Sequence, residues 1–89
     1  MTSCTIRITG LVQGVFFRDR TKVKADELNI MGWVKNTDNG AVEIHAEGSD
    51  GALKQLEEWC HQGPPHAKVE RVEVSEAKEE GCEKFEIVW

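Results

Sequence analysis

The 89 residues suffice for one domain that buries roughly 60 to 65% of its unfolded surface, so the chain can fold around a single core without disulfide staples or a structural metal. Eleven basic against sixteen acidic side chains leave a net charge of −5, which argues against the basic footprint that nucleic acids and anionic membrane surfaces require. No apolar run approaches the roughly 20 residues of a membrane-spanning helix, and the N-terminus lacks the charged start and apolar stretch of a signal peptide, so the expectation is one cytoplasmic domain over residues 1–89.

Residues 3–9 alternate, with Cys4, Ile6 and Ile8 on one side and Thr5, Arg7 and Thr9 on the other, the period of a strand with one buried face. A glycine-punctuated loop follows, from Gly10 to Arg18. Two glycines four residues apart let the backbone turn tightly, so that the N–H groups of Gln13, Gly14, Val15, Phe16, Phe17 and Arg18 can converge on one small anion. The helix that begins there adds its positive end, and Arg18 adds a guanidinium fork that matches phosphate oxygens. Taken alone, a glycine pair favours the plainer reading, a strand-to-helix turn with a solvated arginine.

Phe17, Thr21, Ala25 and Leu28 fall on one helical face. Lys24 lies near that stripe and Val23 off it, and the pattern offers no reason for Val23. The helix is expected to stop at Asn29, a residue that tolerates the left-handed C′ conformation. Residues 31–37 and 41–47 read as two strands joined through Asp38-Asn39-Gly40, because Asn-Gly is a strong hairpin signal. Val42, Ile44 and Ala46 alternate with Glu43, His45 and Glu47. The second set is expected on a wet sheet face, where His45 would be an ordinary surface histidine.

Ser49 and Asp50 offer N-cap side chains to a second helix whose core arc is Ala52, Leu53, Leu56, Trp59 and Cys60, and Gly63-Pro64-Pro65 ends it. Residues 67–75 form a strand whose apolar parity changes between Val69 and Val72, the mark of a bulge or bend. Residues 76–83 read as a charged loop. Phe85, Ile87 and Trp89 make a short last strand. Cys4, Cys60 and Cys82, like His45, His61 and His66, show no paired spacing, so three free thiols and no metal site are expected.

The stretch Gly10-Leu11-Val12-Gln13-Gly14-Val15-Phe16-Phe17-Arg18 resembles the first signature of the acylphosphatase family. Gly32-Trp33-Val34-Lys35-Asn36-Thr37-Asp38-Asn39-Gly40-Ala41-Val42, continuing to Gly48, resembles the second. Asn29, where many family members carry glycine, and Asn39, where many carry aspartate, are departures that touch turn chemistry. The order of elements fits an α+β, ferredoxin-like βαββαβ sandwich: a mixed, mainly antiparallel sheet with two helices on one face and an extra short C-terminal strand. A right-handed split crossover makes the first two strands parallel, with the third between them, so the Gly10 loop and Asn36 emerge at one edge roughly 10 Å apart. Asn36 shares its parity with Val34 and leans toward the helices, where Arg18 begins the first of them.

No serine or cysteine in the two motifs is paired with a histidine, and no two carboxylates are placed for acid/base work. A phosphate cradle, a guanidinium and a neutral amide suit hydrolysis of an acyl phosphate, whose carboxylate leaves without a general acid. The resemblance implies the same roles: Arg18 binds the phosphate and Asn36 holds the attacking water, with no metal and no cofactor. The partners implied are a small acyl phosphate and inorganic phosphate, handled by a monomer. A non-catalytic phosphate-binding module and a relative specialised for carbamoyl phosphate are the alternatives.

Overall fold

The computed structural model describes residues 1–89. The first alternating run becomes β1 (Thr2–Leu11), with Cys4, Ile6 and Ile8 buried. The glycine loop leads into α1 (Phe17–Glu27), followed by β2 (Met31–Asn36), β3 (Val42–Gly48), α2 (Asp50–Gln62), β4 (Lys68–Glu76) and β5 (Phe85–Val88). The sheet order is β4-β1-β3-β2-β5. β3 pairs antiparallel with β1 (Ile8↔Val42) and with β2 (Asn36↔Val42), so β1 and β2 run parallel and end on the same edge, as the crossover requires. The extra strand joins beyond β2: β5 pairs with it in parallel, Lys35 opposite Val88.

Local chemistry sets the boundaries. Asn29 takes φ 57 after α1, and the N–H groups of Asn29 and Ile30 reach back to the carbonyls of Asp26 (3.3 Å) and Ala25 (2.9 Å), both bonds of a Schellman motif. At the other helix, Ser49 Oγ accepts from the Ala52 N–H at 3.2 Å. The β2–β3 hairpin closes through three residues. The Thr37 N–H meets the Ala41 carbonyl at 2.9 Å and the Gly40 N–H meets the Thr37 carbonyl at 3.3 Å, the pattern of a turn ending in a glycine bulge. The parity change in β4 is a bulge, since Thr9 faces Arg71 while Gly10 faces Val69 and leaves Glu70 as the extra residue.

Both helices cover one sheet face, and the core between them is built from β1, β3 and the stripes of α1 and α2. Phe17, Thr21 and Ala25 are buried as the stripe requires, and Leu28 packs against the core from its margin. Thr21 satisfies its hydroxyl on the Phe17 carbonyl at 2.7 Å. Trp59 is half-buried and meets the Phe17 ring edge-on at 5.4 Å. Val23 is simply exposed.

Two expectations are corrected. The face carrying His45 and Glu47 is not wet: His45 retains 2% of its exposure and Glu47 none. The segment between β4 and β5 folds over them. Glu47 accepts from the N–H groups of Glu80 (2.5 Å) and Cys82 (3.1 Å) and sits 2.7 Å from His45 Nε2. Trp33 stacks on the His45 ring at 5.7 Å and donates from Nε1 to Glu80 at 3.0 Å, closing the cover. The last strand also stops one residue short. β5 ends at Val88, and Trp89 stands exposed beyond it.

Candidate active site

The loop after β1 is built by alternating backbone handedness. Gly14 has φ 75 and Phe16 φ 66, with Val15 between them at negative φ, so consecutive N–H groups line a concave nest. Phe16 is also the N-cap of α1, and no side chain caps that helix. The first backbone bond of α1 runs from the Arg20 N–H to the Phe16 carbonyl at 3.1 Å, which leaves the N–H groups of Gln13 to Asp19 without backbone acceptors. An exposed 70% phenylalanine in the left-handed region is costly, and it sits where the chain gathers its unpaired donors.

Of this run, Gly14, Phe16, Phe17, Arg18 and Asp19 line a cavity of about 250 Å³, which Arg18 enters from the first turn of α1 and Asn36 from the last residue of β2. The structure therefore brings Arg18 and Asn36, one from each motif, into a single cavity. Gly14, Phe16 and Phe17 join them in the wall, whereas Gln13 and Val15 lie outside it, Val15 packing against the core and lining a neighbouring hollow with Arg20 and Pro64. Arg18 has no carboxylate within 4.0 Å, although Asp19 also lines the cavity. Its guanidinium lies over the Trp89 ring, 4.3 Å from the centroid, and donates a long bond of 3.4 Å to the Val88 carbonyl. The half-buried Asn36 amide forms no hydrogen bond within the protein, so its donors and acceptor face the cavity open to solvent or substrate.

Two contributors were not visible in the motifs. The Gln13 side chain donates from Nε2 to the carbonyls of Thr37 (2.8 Å) and Ala41 (2.9 Å), tying the nest to the hairpin that follows Asn36. Its partners lie 24 and 28 residues away, beyond any local pattern. Trp89 enters through the parallel pairing of β5 with β2. The only signal for it was the parity it shares with Phe85 and Ile87.

The thiols are not poised as nucleophiles. Burial first, then the charge of Glu57, pushes Cys4 and Cys60 above the ordinary thiol range, and burial, with Glu47 and Glu80 adding to it, does the same to Cys82. His45, Glu47 and Cys82 do bring potential ligand atoms within 4.8 Å of one another, on the sheet face opposite the helices and away from Arg18. The carboxylate there is already held by two N–H groups and the imidazole. Burial alone would raise Glu47, but those hydrogen bonds outweigh it and hold the carboxyl below its usual value.

A ferredoxin-like α+β sandwich carrying an anion nest, an unpaired arginine and a free amide in one cavity defines a small phosphate-handling domain. The sequence model of the acylphosphatase family matches residues 4–87, and the chain belongs to that family. It is 51% identical over 76 residues to an acylphosphatase of Rubrobacter xylanophilus, covering 85% of this chain and 69% of that one. An acylphosphatase of Haloquadratum walsbyi is 44% identical over 97% of this chain and 92% of its own. The crystal structure of acylphosphatase from Bacillus subtilis superposes with a TM-score of 0.96 at 42% identity, covering both chains completely. Membership at this similarity makes the protein a hydrolase.

Proposed function

We propose that the chain hydrolyses small acyl phosphates to a carboxylate and inorganic phosphate by direct attack of water on phosphorus. The observation that carries this reading is the pairing, in one cavity, of an arginine without a carboxylate partner and an asparagine without any protein hydrogen bond. The Asn36 amide is spent on nothing in the fold, and the long bond from Arg18 to the Val88 carbonyl leaves the guanidinium charge without a counter-ion.

The N–H groups of Gln13, Gly14, Val15, Phe16, Phe17 and Arg18 hold the phosphoryl oxygens, and the Arg18 guanidinium takes the charge they carry in the transition state. Asn36 orients the attacking water. The proton of that water passes to the substrate's own phosphate, since no histidine or carboxylate pair faces the nest for that task. A carboxylate leaving group, with a pKa of about 4, departs unprotonated at neutral pH. A simple phosphate monoester must expel a far more basic alkoxide and gains little from such a site. Hydrolysis by this route calls for no metal or cofactor, since a carboxylate departs without a general acid and the two motifs hold no carboxylate cluster for a hard cation, and we take the working unit to be a monomer. Three unpaired thiols support a reducing, cytoplasmic setting. No helix is long and apolar enough to cross a membrane.

The test is turnover of acetyl phosphate and glycerol phosphate by the purified chain in a strong chelator. Rapid hydrolysis of the first and none of the second is expected. Phosphate binding without turnover of any acyl phosphate would instead make the domain a binding module.

A further inference from the structure

The phosphate end of the cavity is fully assigned: nest, guanidinium and amide all serve the phosphoryl group and its water. The remaining wall is mainly apolar, with Asp19 as its one carboxylate. Val12 and Phe17, both buried, belong to it, and two aromatic side chains stand at the rim, Phe16 and Trp89, which are 70% and 83% exposed. Large aromatic groups left in water at the mouth of one cavity contribute little to the fold, and here they flank the path by which anything attached to the phosphate must leave.

The placement of Trp89 follows from the sheet. β5 runs parallel to β2 with Val88 opposite Lys35, so Trp89 comes next to Asn36, and its side chain shares the helix-facing parity of Phe85 and Ile87. Arg18 lies across its ring at 4.3 Å. The ring thus touches the phosphate-binding arginine and stands beside the residue assigned to the water, while most of its surface stays open.

We propose that Trp89, with Phe16, forms the subsite for the acyl group and selects planar, apolar acyl phosphates such as aromatic ones. This rests on the hydrolase reading above. An aromatic acyl group gains ring-to-ring contact that a methyl group cannot make, worth about three- to tenfold in affinity. Arg18 keeps its place on the ring during turnover, so Trp89 acts both as a support for the guanidinium and as a wall for the substrate.

The two roles separate in one experiment. KM for benzoyl phosphate and for acetyl phosphate, and the inhibition constant of inorganic phosphate, are measured for the wild type, Trp89→Ala and Trp89→Phe, with circular dichroism to confirm folding. Any loss of support for Arg18 moves all three constants by a common factor. Loss of the acyl wall moves benzoyl phosphate alone, so the ratio of the two KM values, below one in the wild type, should rise about three- to tenfold in Trp89→Ala and stay low in Trp89→Phe. An unchanged ratio in Trp89→Ala, with the enzyme active on both substrates, overturns the subsite. A wild type inactive on both overturns the hydrolase reading itself, a distinct result.

Discussion

The amide of Gln13 and the carbonyl of Thr37 are joined across the mouth of the site at 2.8 Å, and the second hydrogen of the same amide meets Ala41 at 2.9 Å. Gln13 begins the nest and Thr37 follows Asn36, so one side chain fixes the distance between the loop proposed to hold phosphate and the amide proposed to hold water. The hairpin it grips is itself stiffened, because Thr37 Oγ1 accepts from the Ala41 N–H at 3.1 Å and Arg7 donates to Asn39 at 3.1 Å.

Removing this tether is expected to lower kcat more than binding. In Gln13→Ala the nest keeps its backbone donors, so the inhibition constant of phosphate should stay within about threefold of the wild type. Asn36 loses its fixed distance, and a displacement of the order of 1 Å costs up to about a hundredfold in rate. Steady-state kinetics with phosphate as competitor reads both. Equal losses in kcat and phosphate affinity would show that Gln13 shapes the nest rather than the spacing.

Arg18 and Asn36 are expected to fail differently. Arg18→Ala removes a charge-assisted contact to phosphate, so turnover and the rise in melting temperature produced by phosphate should disappear together. Asn36→Ala leaves the anion contacts intact. Phosphate at ten times its dissociation constant should still stabilise this variant by about 1.4 kcal/mol, about 6 to 11 °C for a domain of this size, while turnover falls by about two to three orders of magnitude. Full turnover in a folded Asn36→Ala protein would remove the water-orienting role.

How much of this was legible depends on the range of the interaction that decides it. Alternation placed β1 and β3, an asparagine placed the end of α1, and the parity change in β4 announced its bulge, because each is written within a few neighbouring residues. The topology then brought Arg18 and Asn36 together. Glu47 and His45 were misplaced for the opposite reason. Their cover is the chain around Lys78, Glu79, Glu80 and Gly81, which reads as solvated and which holds Glu47 through backbone N–H groups that no sequence pattern displays. The Gln13 tether and the Arg18–Trp89 stack are likewise long-range.

Glu47 gives that buried cluster a pH dependence of definite sign. Its carboxyl titrates below the ordinary value when folded, so the stability it contributes is present above the unfolded value, about 4.3, and is lost as pH falls through the folded one. Glu47→Gln should remove that acid-side slope and cost about 3 kcal/mol at neutral pH, since it leaves His45 and the loop donors without their anion. Urea denaturation between pH 3 and 7 measures both effects. Superimposable slopes for the two proteins would mean that the carboxylate carries no linked stability.

Two glycine substitutions test whether backbone approach, rather than glycine content, shapes the sheet. Gly32, the second residue of β2, has φ 139, and a Cβ there would stand 1.8 Å from the His45 carbonyl oxygen, a backbone atom fixed by the β2–β3 ladder. Gly51 lies in the first turn of α2, exposed, with nothing within 4 Å of the position a Cβ would take. Gly51→Ala therefore removes freedom from the unfolded chain without strain and should stabilise by about 0.5 to 1 kcal/mol. Gly32→Ala forces β2 away from β3 directly beneath the His45 and Trp33 rings and should cost more than about 3 kcal/mol. The displacement also reaches Asn36 at the far end of the same strand, so any Gly32→Ala protein that does fold should show depressed kcat. Equal melting temperatures for the two variants would contradict the close approach at Gly32.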